Sequence, residues 1–450
     1  MLYHRGTRTF LVIWAGQAVS MLGTAMTRFA LLIWAYQQTG QATTLALLGF
    51  FSFAVYVTLA PAAGVWVDRW DRRRVMIASD FGAGLITMSY LLLRATGDLH
   101  IWHLYAGASL TGLFEAFQKP AYNASMSVLV PHQHLMRANG LRSLSYDATN
   151  VLGPVLGGLL LSVVGLNVIM LVDVGTFCVA AVTLLAVRIP RPAVSREGVE
   201  VRGLGFRQEL AFGTRYIVRR PGLLGLTVIF MLIHLFAALA YFSILPAMIL
   251  ARSGGNELVL SSVQSALGVG GVVGGLMLAI WGGPRRKIHG VLGFCAASFL
   301  CGDLLFAVGR TPLMWVVAAF AAAVYIPFIG SANRAIWQTK VPPDVQGRIL
   351  GAAFAWQQIT SPLGYLIAGP LADTVFEPAM QPGGALSGLF GGLVGTGPGA
   401  GMGLIFLGTA TFGTLACLGG YLFPALRNVE TDLPDYAFDV GAAVLEATGD

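Results

Sequence analysis

Gly64-Val65-Trp66-Val67-Asp68-Arg69-Trp70-Asp71-Arg72-Arg73-Arg74 places six charges within the seven residues from Asp68 to Arg74, in a chain that is only 11% charged, with long apolar runs on either side. Ionised side chains are costly in hydrocarbon, so a knot of arginines between two segments long enough to span a bilayer marks a short cytoplasmic loop. The loop joins the second and third of a series of membrane helices.

The composition agrees. A chain of 450 residues that is 56% hydrophobic, with 57 glycines and a mean hydropathy of +0.72, lies outside the range of soluble globular proteins. Apolar windows of about 19 to 25 residues, each enough to cross about 30 Å of hydrocarbon as a helix, recur from end to end. They predict an all-α membrane protein with twelve spans, at residues 9–35, 43–67, 75–96, 101–124, 139–165, 167–187, 223–249, 259–282, 288–308, 313–337, 347–373 and 401–424. Placing both termini in the cytoplasm assigns Arg94, Arg252 and Arg310 to external loops, Arg28, Lys119 and Arg334 to helices, and every other Lys and Arg to the cytoplasmic side. The net charge of +7 is therefore a topology signal touching lipid headgroups, and scattered arginines argue against a nucleic-acid partner. The basic stretch 1–8 lacks a cleavage pattern, so helix one is expected to stay in the membrane.

The longest polar stretch, with eight arginines between Arg188 and Arg220, divides the spans six and six. The expected domains are an N-terminal half at 1–187, a cytoplasmic linker at 188–221, a C-terminal half at 222–427 and a mobile acidic tail at 428–450. A weak repeat supports two halves: Asn123 to Pro131 followed by Arg137 parallels Asn333 to Pro343 followed by Arg348, and Pro154 parallels Pro362. The Gly- and Pro-rich segment from Glu377 to Gly403 reads as a flexible external loop.

Several polar side chains fall inside the spans. Gln17, Ser20, Thr24, Thr27 and Arg28 share an arc of about 100° on helix one. Helix four carries Glu115, Gln118, Lys119, Tyr122 and Asn123, and helix five Ser143, Tyr146, Asp147 and Asn150; three such stripes imply a wet central cavity. Glu115 and Lys119, spaced i to i+4, can neutralise each other. Alternatively, Glu115 or Asp147 exchanges a proton while Arg28 meets anionic or carbonyl groups of substrate. His234, Tyr241 and Gln357 are the candidates of the second half. Asp80, Asp173 and Asp303 fall nearer predicted helix ends and are expected to be solvated or capping. Trp34, Trp102, Trp281 and Trp315 suit interfacial anchoring. The four cysteines lie within spans as buried unpaired thiols, without metal spacing. No phosphate-binding loop, nucleophile elbow or zinc-protease helix is present, so no ATP hydrolysis, cofactor, catalytic residue or metal residue is expected, and any transport would draw on an ion gradient.

The chain resembles the major facilitator superfamily, whose loop between helices two and three has the pattern G-x-x-x-D-R-x-G-R-[RK]. Gly64, Asp68, Arg69, Arg72 and Arg73 match it. Asp71 replaces the second glycine, as in the branch resembling macrolide efflux proteins and the enterobactin exporter. Gly153, Pro154, Gly157 and Gly158 are similar to the G-P-x-x-G-G element of proton-coupled drug antiporters, although the arginine those carry in helix four is missing. The resemblance implies a transporter of two rocking six-helix halves in the cytoplasmic membrane, with Asp68 and its arginines as a gate and helices five and eight as a sliding seam, helped by Gly270-x-x-x-Gly274 and Gly271-x-x-x-Gly275. It implies proton-coupled export of an amphipathic drug, macrolide or siderophore-like metabolite by a monomer. An importer or lipid flippase, and a membrane sensor or assembly factor that does not transport, are the alternatives.

Overall fold

The computed structural model describes residues 2–130, 135–187, 206–342 and 346–435. All regular structure among them is helical. In chain order the first five helices are α1 Leu2–Thr39, α2 Ala42–Arg69, α3 Arg72–Thr96, α4 Ile101–Leu129 and α5 Leu135–Ala186. Then come α6 Phe206–Val218 and α7 Pro221–Leu239, the latter continued through a π-helical turn at Ala240–Ile244 into α8 Leu245–Arg252. After α9 Glu257–Trp281, α10 Lys287–Ser298 runs through a second π turn at Phe299–Asp303 into α11 Leu304–Val308. α12 Pro312–Ala323, α13 Ile326–Lys340, α14 Gln346–Gln358 and α15 Ser361–Pro370 follow, with a third π turn at Leu371–Phe376. Short α16 Glu377–Ala379 and α17 Ser387–Val394 precede α18 Ala400–Gly419, and α19 Pro424–Arg427 and α20 Val429–Asp432 end the described chain.

Nine helical stretches among the described residues are long and apolar enough to cross a membrane. One of them, Leu144–Ala186, covers two predicted spans, because α5 folds over at Gly165, whose φ of 78° costs a residue without Cβ little. The fourth predicted span coincides with α4, which carries Glu115 and Lys119, and the eleventh is broken between α14 and α15.

Two sets of helices pack internally. α1 lies against both arms of α5, α2 against α4, and α3 against α4 and α5; farther on, α9 packs on α12, α10 on α13 and α15 on α7. The sets meet where α9 touches α5 and where α15 and the first π turn touch α2. The cores are arranged unequally. At the end carrying Thr39, Ala42 and Glu257, one core joins both sets, with Phe29, Leu45 and Ile169 beside Ile249, Phe306 and Phe406. At the other end the core divides, one part around Phe10, Met76 and Leu184, the other around Leu226, Trp337 and Ile349. Apolar burial thus holds the two sets together at one end and leaves them apart at the other.

Several expectations are revised. The predicted linker contains α6, which packs on α14, with Trp356 Nε1 donating to Thr214 Oγ1 at 2.9 Å; residues 188–205 lie outside those described. The segment after Glu377 is a packed cap: Arg252, expected in an external loop, donates to the carbonyls of Gly399 (3.1 Å), Gly309 (2.8 Å) and Val394 (3.0 Å). Glu377 accepts from the amides of Gly399 and Met402. The start of the tail is docked, since Glu430 accepts from the amide of Ile288 at 2.9 Å and buried Lys340 donates to the carbonyl of Leu433 at 2.6 Å; residues 436–450 lie outside those described. Trp315 is buried in the joint core, its indole donating to Gly309, and Cys178 is exposed. Pro131 and Pro343 of the internal repeat fall outside the described residues.

Candidate functional site

Three charges meet midway along the first set. Arg28 of α1 reaches Glu115 Oε1 with Nη2 at 3.2 Å, and Lys119 reaches Glu115 Oε2 with Nζ at 2.8 Å. The i to i+4 pair expected from spacing is therefore present, and Arg28, expected to wait for substrate, completes it from a second helix. The Arg28 and Lys119 side chains are 67% and 52% exposed and that of Glu115 27%. Two cations half open at the middle of long helices require water beside them, since lipid would not solvate them. Lys119 Nζ also lies 4.3 Å above the ring of Tyr56, a cation–π contact.

The rest of the three polar stripes is divided between packing and the cavity. Gln17 is 6% exposed and donates through Nε2 to Asp80 Oδ2 at 2.6 Å, while Gln118 donates to Asp80 and to Gln17 Oε1. This cluster ties α1, α3 and α4 together. Thr24 donates to Asp173 Oδ1 at 3.1 Å and Thr87 to its Oδ2 at 2.9 Å, tying α1, α3 and the second arm of α5. Gln17, Thr24 and Gln118 thus hold helices together, Gln17 buried and the other two half-buried. Tyr122 packs beside the Phe10 core. Asp147 is exposed and forms no hydrogen bond or ion pair among the described residues.

The second set has a counterpart. Asp303, fully buried, accepts from Tyr241 and from Thr409 Oγ1 at 2.5 Å, joining the first π turn, the second π turn and α18. In each set a buried aspartate accepts two hydroxyls from neighbouring helices. Asp80, Asp173 and Asp303 were expected to be solvated or capping and are instead internal cross-braces. The signal for this was in the sequence, because a carboxylate in an apolar run must find donors. His234 keeps its Nδ1 2.7 Å from the Phe230 carbonyl on its own helix, and Gln357 is buried. None of these second-set candidates joins the charged trio.

The basic loop is organised by capping. Asp71 accepts the amide of Arg74 at 3.1 Å as N-cap of α3. Arg73 donates to the carbonyls of Leu184 (2.8 Å) and Leu185 (2.7 Å), closing the last turn of α5 where the helix dipole favours a cation. Arg72 opens α3. Gly64 and the side chains of Asp68 and Arg69 lie outside those described, so of the expected gate the structure describes Arg72 and Arg73.

The seam differs from expectation in its glycines. A Cβ at Gly153 or Gly157 would meet Ala25, Met26 or Phe29 of α1; only Gly158 faces α9, against Ser261. Gly270 and Gly274 face Phe320 and Val324, inside the second set, while Gly271 and Gly275 face open space. What crosses the seam is Gly268 against Val151, with Ser261 Oγ donating to the Pro154 carbonyl at 2.6 Å and Ser265 Oγ to Val151 at 3.1 Å.

Among the described residues, the other hydrogen bonds between the sets lie at the joint-core end. Gln37 Nε2 donates to Glu257 Oε1 at 2.9 Å. Asp373 accepts the amides of Ala42 (3.1 Å) and Thr43 (2.7 Å) and the Thr43 hydroxyl (2.6 Å), capping α2 from across the interface.

A family model described as Major Facilitator Superfamily matches residues 13–365. The chain is similar to macrolide efflux protein A of Streptococcus pyogenes, 27% identical over 381 residues, covering 83% of this chain and 91% of that protein. It is also similar to the multidrug efflux pump Tap of Mycolicibacterium fortuitum, 25% identical over 342 residues, covering 74% of this chain and 80% of that one. A crystal structure of a bacterial homologue of the human lysosomal transporter Spinster, inward-facing and occupied, matches with a TM-score of 0.69 at 16% identity, over 97% of this chain and 100% of that one. At that identity the likeness is one of fold.

Proposed function

Since this chain belongs to the Major Facilitator Superfamily and is a multi-pass membrane transporter, we propose that it exports an amphipathic small molecule across the cytoplasmic membrane in exchange for protons, by alternating access. The observation that carries this reading is the single joint core at one end and the divided cores at the other, with Arg28 and Lys119 exposed between them around the half-buried Glu115. A bundle clamped at one end encloses a cavity open at the other. With twelve spans in two six-helix halves, 1–187 and 222–427, and both termini cytoplasmic, the open end is the cytoplasmic one, where an exporter loads. The efflux proteins to which the chain is similar support export. A single chain forms the whole cavity, so a monomer suffices.

Proton exchange has two candidate carboxylates. Glu115 is held by two cations that substrate can draw away, and Asp147, exposed and without a partner among the described residues, can take a proton from the cavity. The test is dye-reported proton movement in proteoliposomes challenged with lipophilic antibiotics and siderophores, for the wild type, Glu115→Gln and Asp147→Asn. Substrate-triggered proton flux lost in one variant is the expected result and assigns the carboxylate. Substrate flux without proton movement would overturn the coupling, and no flux for any compound would favour a sensor or assembly factor.

A further inference from the structure

The charged trio presents an unequal face to the cavity. Both oxygens of Glu115 are engaged, one by each cation, and that side chain is the least exposed of the three. Arg28 reaches Glu115 through Nη2 alone, so among the described residues most of its five N–H donors have no partner, on a side chain that is 67% exposed. Lys119 has one N–H on Glu115 and its ammonium above Tyr56, leaving further donors on a half-exposed group. What an incoming molecule meets is a surplus of one positive charge and a row of unfilled donors, with no free acceptor among these three groups. Tyr146 approaches Lys119 from α5; Asp147, the next residue, is turned about 100° around the helix and pairs with none of them.

An aromatic row begins at the same place. The Tyr56 ring that carries Lys119 lies 6.0 Å from Phe53, Phe53 lies 5.9 Å from Tyr365 of α15, and Tyr365 lies 6.2 Å from Phe242 of the first π turn. The row runs from the first set into the second. We propose that the cavity takes amphipathic anions, with an acid head on Arg28 and Lys119 and an apolar body along Tyr56, Phe53 and Phe242, the buried Tyr365 backing the row between Phe53 and Phe242. A guanidinium with free donors binds a carboxylate or sulfonate in bidentate geometry, and an organic cation arriving at the trio would find the Glu115 carboxylate already held by two cations. This deepens the transporter reading and rests on it, but needs neither its proton coupling nor its direction.

The test is equilibrium binding of a matched pair, 4-(1-pyrenyl)butyrate and 4-(1-pyrenyl)butylamine, to the full chain in nanodiscs of neutral lipid. Binding is read by energy transfer from tryptophan, with empty nanodiscs as the partition baseline. The wild type is expected to favour the acid. Arg28→Gln should weaken the acid by about tenfold and leave the amine unchanged or tighter, with Arg28→Lys recovering part of the loss. Glu115→Gln should tighten the acid, because it frees both cations. A wild-type preference for the amine, an unchanged acid-to-amine ratio in Arg28→Gln, or weaker acid binding in Glu115→Gln would each overturn the proposal. The opposite signs expected of the two substitutions separate it from misfolding, which would weaken both. Acid binding that survives while substrate moves no protons would overturn only the coupling.

Discussion

Arg252 is a cation whose partners are backbone carbonyls. Half-buried at the end of α8, it satisfies the carbonyls of Gly399, Gly309 and Val394 and so fastens the cap after Glu377 to α8 and α11. Removing such a donor leaves buried carbonyls unpaired, and an Arg252→Met variant should lose about 3 kcal/mol. That loss should appear as a lower thermal midpoint in detergent, with Arg252→Lys in between; a midpoint equal to that of wild type would show that the cap holds without it. Asp303 belongs to the same scale. It is buried with two hydroxyl donors, and its place in an apolar run already required them. Their identity, Tyr241 and Thr409, was not legible, because the residues lie 62 and 106 positions away.

At the scale of elements, the cap on α3 explains how this chain departs from its family pattern. Asp71 stands where the pattern has glycine, and both residues serve at an N-cap, the carboxylate by accepting the Arg74 amide and glycine by leaving that amide to solvent. Asp71→Gly should therefore change stability by only a few tenths of a kcal/mol and Asp71→Ala by about 1 kcal/mol, measured by thermal unfolding in detergent; equal losses would remove the capping role. The seam offers a similar contrast. Gly158→Leu should separate α5 from Ser261 and abolish substrate flux in proteoliposomes, whereas Gly271→Ala, facing open space, should transport like wild type. Loss of flux in Gly271→Ala would place that glycine in a contact absent from this conformation. The glycine spacing itself did not distinguish the two, since a small face is a property of one helix and its partner is chosen by the packing of two.

For the whole molecule, the decisive feature is the asymmetry between one joint core and two separate ones. If the cycle opens the joint end, a short thiol cross-link between Gln37→Cys and Glu257→Cys, at a pair now 2.9 Å apart, should stop net transport, and reduction should restore it. Full transport by the cross-linked protein would mean that this end never parts.

Local chemistry alone determined a good deal. The run from Gly64 to Arg74, the repeated apolar windows and the lysine and arginine distribution established a helical membrane protein and its family, because hydrocarbon imposes its requirements on every residue separately. The i to i+4 pairing of Glu115 with Lys119 was legible for the same reason, since both residues sit on one helix. Only the tertiary structure decided that Arg28 completes that pair and that Gln17, Thr24 and Gln118 turn inward to brace helices. It also decided that the segment after Glu377 is a packed cap and that the two sets join at one end. Each of these depends on which helix faces which, and that choice is made by burial and hydrogen bonding between segments far apart in the chain, where no local period carries the information.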